Sequence, residues 1–101
     1  MLRHQVRFVL RFGVFSDFQD ALGRLAAVEQ RRGWSEQRCW RATAGRVNEI
    51  VVDHDHADRS AYDVQRHAYH EAADEEFTAA LADLTQMMVP GTAIETVFDE
   101  L

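Results

Sequence analysis

The sequence predicts an α+β domain with the element order βαββαβ, its four strands in one antiparallel sheet and its helices on one face. Three observations lead there. Residues 2–12 alternate apolar and polar side chains, residues 17–32 and 74–88 carry apolar side chains at helical spacing, and residues 34–54 hold two strand-like runs around a short Gly-containing break.

The first strand sets Leu2, His4, Val6, Phe8, Leu10 and Phe12 on one face against Arg3, Gln5, Arg7, Val9 and Arg11 on the other. After Gly13, Ser16 is placed to cap a helix with Gln19 three residues on. Phe18, Ala21, Leu22 and Leu25 then mark its buried stripe from about Asp17 to Arg32, where Gly33 supplies a stop. Trp34 to Ala42 and Arg46 to His54 read as a hairpin joined across Thr43, Ala44 and Gly45. Asp58 or Ser60 opens a helix that reaches about Glu71. Asp74, followed by Glu75 and Glu76, opens another that runs to about Met88 with Phe77, Leu81, Leu84 and Met88 on one stripe. Pro90 and Gly91 end it, and Thr92 to Phe98 forms the last strand, with Ile94 and Phe98 among its inward candidates. This is the split ferredoxin-like arrangement, with the second helix broken in two.

At 101 residues and 47% apolar content, the chain suits a single domain over residues 1–101 with one core. No apolar run is long enough to span a bilayer, and Arg interrupts the N-terminal apolar pattern, so a cytoplasmic protein without membrane contact is expected. Cys39 stands alone, which excludes an internal disulfide. All eleven basic residues are Arg; without Lys there is no Schiff base, lysine general base or P-loop lysine. A net charge of −6 with scattered Arg disfavours nucleic acid as a partner.

If the helices cover the face of Leu2, Val6, Phe8 and Leu10, the opposite face carries Arg7, Val9, Arg11, one of the two Trp residues, Glu49, Val51 and Val97. Large aromatic and β-branched residues on an open sheet face are poorly placed in water. Pairing two such faces in a symmetric homodimer is a common solution, and it gives an α/β barrel with a partly charged interior. Cross-strand ion pairing explains those charges without a ligand, while a hydrated cavity would let a small organic ligand compete for them.

Trp40, the run Gly45-Arg46-Val47-Asn48-Glu49, the spacing Tyr62-x-x-x-Arg66-x-x-Tyr69, and Glu75-Glu76-Phe77-x-x-x-Leu81 together resemble a bacterial member of the NIPSNAP-like group within the dimeric α/β-barrel superfamily. The resemblance covers nearly the whole chain. It implies a ferredoxin-like protomer and a homodimer, and it brings no agreed catalytic residues. Related barrels include cofactor-independent monooxygenases, haem-degrading enzymes and small-molecule binders, so the fold does not select a function.

Arg7, Trp40 and Glu49 are the candidate ligand-binding residues of the sheet face, an aromatic plate beside a guanidinium and a carboxylate. Tyr62 joins them as a ligand candidate, although its helical spacing with Arg66 and Tyr69 equally suits docking the helix on the sheet. His54 and His56, two apart on a strand, and His67 and His70, three apart on a helix, are the one conceivable metal cluster; a solvated acidic loop accounts for them, and no metal is expected. Cys39 reads as a small buried hydrophobe rather than a nucleophile. Ser16, Ser35 and Ser60 lack a nucleophile-elbow context.

No catalytic motif occurs and no cofactor is implied. The expected function is small-molecule binding or scaffolding by a homodimer. The competing expectation is a cofactor-independent monooxygenase or isomerase acting on an aromatic or polyketide-like substrate, with a His or Glu49 taking a proton and Trp40 or Arg7 holding the anion.

Overall fold

In the computed structural model, which describes residues 1–71 and 74–101, the order is β1 Leu2–Val9, α1 Phe15–Arg31, β2 Gln37–Arg41, β3 Glu49–His56, α2 Arg59–Glu71, α3 Glu75–Met87 and β4 Ile94–Asp99. The strands form one antiparallel sheet in the order β2-β3-β1-β4. Every expected element is present, including the break between α2 and α3.

The core lies between the sheet and the helices. Phe8, Leu10 and Ile50 meet Phe18, Ala21, Leu25 and Val28 of α1 and Phe77, Ala80 and Leu84 of α3. Phe8 and Phe18 meet edge to face with ring centroids 5.9 Å apart. Burying each such large side chain stabilises the fold by about 1.5–3 kcal/mol, which outweighs any single capping bond. The start of α1 illustrates this: it begins at Phe15, inside which Ser16 lies, and Val14 takes the capping position with no side-chain bond. Packing Phe15 against the core overrides a hydroxyl cap worth about 1 kcal/mol. The other two caps form as the sequence suggests, with Asp58 Oδ1 accepting from Ala61 N at 2.8 Å and Asp74 Oδ1 from Phe77 N at 3.1 Å.

Several boundaries and faces differ from expectation. β1 stops at Val9 because the chain there turns its hydrogen bonds to the segment after α3: Val89 N donates to Val9 O, and Leu10 pairs with Met88. Phe12, placed inward by alternation, is 82% exposed. The β2–β3 connection spans residues 42–48, longer than a three-residue turn, and uses positive φ at Gly45 (109°) and Asn48 (60°), so β3 begins later and extends to His56. In α3 the buried stripe is Phe77, Ala80 and Leu84, leaving Leu81 exposed. Cys39 is exposed on the edge strand instead of buried.

The largest correction concerns β4. Leu2 is opposite Asp99, His4 opposite Val97 and Val6 opposite Glu95, so Val97 shares the helix-covered side of the sheet; Ile94 and Phe98 point to the open side and are exposed. A shift of one residue in the assumed alternation exchanges the two faces of a strand. Among the described residues no helix is long and apolar enough to cross a membrane.

Candidate functional site

Strand register arranges the open face in three transverse rows. Trp40, Val51, Arg7 and Ile94 form the first; Arg38, Asp53, Gln5 and Thr96 the second; Asp55, Arg3 and Phe98 the third. Trp40, Ile94 and Phe98 stand at row ends, on the edge strands β2 and β4, around the charged and polar side chains.

Those charges are paired across the strands. Arg3 grips Asp55 through Nε at 2.7 Å and a second nitrogen at 3.1 Å, and Arg38 reaches the same carboxylate at 2.6 Å. The bond from Arg3 is the main reason the Asp55 carboxyl is held below its ordinary pKa. Asp53, 4% exposed, accepts from Gln5 Nε2 at 3.0 Å and from Trp40 Nε1 at 3.1 Å. Arg7 and Glu49 form a looser pair at 3.5 Å. A shallow hollow of ≈ 360 Å³ at the end of the third row is lined by Met1, Arg3, Gln5, Phe98, Asp99 and Glu100.

Of the residues singled out from sequence, Arg7, Trp40 and Glu49 therefore share this open face. Val51 lies between Trp40 and Arg7, which puts them two strand spacings, roughly 10 Å, apart, and the Trp40 indole is engaged by Asp53 instead. Tyr62 is not with them: it is buried on the other side of the sheet, beneath α2, among His4 and His56. The four histidines also divide. His54 and His56 are buried against the helices, whereas His67 and His70 are exposed on α2, and among the described residues no group of three or more His, Cys, Asp or Glu is arranged to hold a metal ion.

The helix side of the sheet holds a second polar centre that the sequence reading did not assemble. Glu29 of α1, 2% exposed, presents Oε2 to His54 Nε2 at 2.5 Å and to the Tyr69 hydroxyl at 2.5 Å, while its Oε1 is buried without a hydrogen-bond partner among the described residues. The Tyr69 ring stacks on Trp34 with centroids 4.4 Å apart, and burial, then the Glu29 charge, push its phenol well above the ordinary value. The Tyr69 hydroxyl is the donor in its bond to Glu29. Beside this centre, Trp34, His56, Ser60, Val64 and Gln65 line an open cleft of ≈ 720 Å³ between the start of α2, the end of β3 and the chain after α1. The signal for Glu29 was present in sequence, since it falls four residues after Leu25 on the apolar stripe of α1, where a carboxylate needs a buried partner.

No protein-family model matches the chain, and no curated protein is significantly similar to it. Solved structures are. A NIPSNAP domain protein from Burkholderia xenovorans superposes with a TM-score of 0.73 at 19% identity over 100% of this chain and 95% of its own. A NIPSNAP family protein from Agrobacterium tumefaciens gives 0.77 at 9% identity, covering 99% and 92%. SnoaB, a cofactor-independent oxygenase from Streptomyces nogalater, gives 0.69 at 18% identity, covering 98% and 91%. The protein is thus NIPSNAP-like in fold, a ferredoxin-like α+β chain of the shape shared by NIPSNAP proteins and antibiotic-biosynthesis-type monooxygenases.

Proposed function

We propose that the protein is a homodimer closed through its open sheet faces, and that the resulting α/β barrel binds a small organic ligand or serves as a scaffold. The observation that carries this reading is the mixed character of the open face: Trp40, Ile94 and Phe98 are 54%, 59% and 48% exposed around a lattice of already neutralised charges. Covering such a face desolvates its charges at a cost that their pairing offsets in part, and gains about 25 cal/mol per Å² of apolar surface covered. The hollow beside Phe98 and the Arg7–Glu49 pair, which is long enough to be opened, are where a ligand with a carboxylate or phenolate would compete; Trp40 offers it a flat wall. Tyr62, buried on the other side of the sheet, has no part in this ligand site.

Native mass spectrometry of mildly purified protein tests this. A dimer with a defined organic adduct supports the binding role, an adduct-free dimer supports scaffolding, and a monomer overturns the reading.

A second reading, a cofactor-independent monooxygenase or isomerase acting on an aromatic or polyketide-like substrate, is favoured by the Glu29–His54–Tyr69 centre and by the shape shared with SnoaB. A buried carboxylate with one free oxygen, backed by an imidazole and a phenol, is able to take a proton from an acidic carbon or hydroxyl. Oxygen consumption or isomerisation across a panel of acidic phenols, present in wild type and lost in Glu29→Gln, supports it; no turnover in wild type removes it.

A further inference from the structure

Three imidazoles crowd the underside of α2. His4 and His54 are in register across β1 and β3 with ring centroids 6.3 Å apart, the Tyr62 ring lies 5.8 Å from His4, and it meets His56 edge-on at 5.4 Å. Tyr62 is the one buried side chain of α2, so the first two turns of that helix are held to the sheet by a ring seated on histidines.

The three are not equivalent. His4 Nε2 lies 2.9 Å from Glu95 of β4, and His54 Nε2 lies 2.5 Å from Glu29 of α1, so each has a carboxylate to answer a positive charge. His56, 8% exposed, has none within ion-pair distance among the described residues. The charged groups around it offer little relief. Asp55, its neighbour on β3, is spent on Arg3 and Arg38 on the opposite face. Asp58 caps α2, and Asp99 of β4 is two strands away across Leu2. From α2 itself, Arg59, paired with Asp63 at 3.2 Å, sets its guanidinium 5.5 Å from the Tyr62 ring centroid, and Arg32, which lines the same cleft, is taken by Asp74.

We propose that His56, with His4 and Tyr62, forms an acid-sensitive seat for α2: protonation releases the N-terminal half of the helix and opens the cleft lined by Trp34, His56 and Gln65. A proton on His56 would be buried, unpaired and set between His4, His54 and the Arg59–Tyr62 contact, whereas with α2 lifted it is solvated. Burial first, then His54 and His4, hold the His56 pKa below its ordinary value of 6.5. The closed form therefore binds this proton less readily than the open form. Closure weakens as pH falls through 6.5 and stops changing once the pH is below the depressed value. The seat lies on the helix side of the sheet and stands independently of the dimer reading.

Hydrogen exchange of the full chain, corrected for intrinsic rates and read against β1 as an internal reference, tests the seat. Between about pH 7.5 and about pH 5, amides in the first two turns of α2 should lose roughly threefold or more of their protection, and His56→Gln should abolish that loss. Unchanged relative protection of α2 in wild type, or an equal loss in His56→Gln, overturns the proposal. Should the variant not fold, an NMR titration of the wild-type imidazole decides: a His56 midpoint below 6.5 that coincides with the change in α2 supports the seat, and a midpoint at or above 6.5 overturns it.

Discussion

Glu29 Oε2 and His54 Nε2 stand 2.5 Å apart beneath α1, a carboxylate and an imidazole both withdrawn from solvent and in hydrogen-bond contact. The Tyr69 hydroxyl donates to the same oxygen, so helix α1, strand β3 and helix α2 are tied at one atom.

Removing the carboxylate with Glu29→Ala leaves His54 and Tyr69 buried without their shared acceptor. Leaving buried hydrogen-bonding groups without their acceptor is expected to cost about 1–3 kcal/mol apiece in urea unfolding. A loss below about 1 kcal/mol would mean that water replaces the carboxylate and that the centre is not structural.

Trp40 is exposed in the protomer, on edge strand β2, and would be covered in the proposed interface. With Trp34→Phe leaving Trp40 as the single indole, its emission should shift to the blue and its quenching by acrylamide should fall as protein concentration rises through the dimerisation range. Emission and quenching independent of concentration, at a solvent-exposed level, would count against burial at an interface.

Asp55 and Asp74 both have carboxyl groups held below their ordinary pKa of 3.8, Asp55 chiefly by the bond from Arg3 and Asp74 chiefly by the backbone amide of Phe77, then by Arg32. Groups depressed in the folded state stabilise it fully above the unfolded value and lose that contribution as pH falls through the folded value. An acid titration followed by circular dichroism should show this step below pH 3.8, separate from any change near 6.5, and Asp74→Ala should flatten the step and lower the melting temperature at neutral pH through the lost cap. A step of undiminished size in Asp74→Ala would show that this carboxylate is not among its causes.

Asn48 holds a φ of 60° at the end of the β2–β3 connection, just before Glu49. Asn48→Gly should be nearly neutral, and Asn48→Val should cost about 1–2 kcal/mol, because a β-branched side chain is crowded in the left-handed region. Equal melting temperatures for the two variants would show that the connection relaxes to another conformation.

Element order was legible because each segment carries its own period. Alternation in Leu2 to Val9 and helical spacing in Phe18 to Val28 are local properties, and so were the Asp58 and Asp74 caps. What failed was decided elsewhere in the chain. The end of β1 depends on Val89 and Met88, eighty residues away, and the facing of β4 depends on a register that no short apolar stretch such as Ile94 to Phe98 fixes by itself. The same limit applied to the sites. Arg7, Trp40 and Glu49 were placed on one face correctly, because β1 and the hairpin were read with the right parity. The Glu29–His54–Tyr69 centre joins three elements far apart in sequence, and only their packing reveals it.

Pairing of two open sheet faces is tested by sedimentation equilibrium of wild type beside Ile94→Asp. Ile94 is 59% exposed at the end of the row of Trp40, Val51 and Arg7, so the substitution should leave protomer stability within about 0.5 kcal/mol while setting an unpaired charge in the proposed interface. Wild type should sediment as a dimer and Ile94→Asp as a monomer. A wild-type monomer, or a dimer that Ile94→Asp leaves intact, would contradict it.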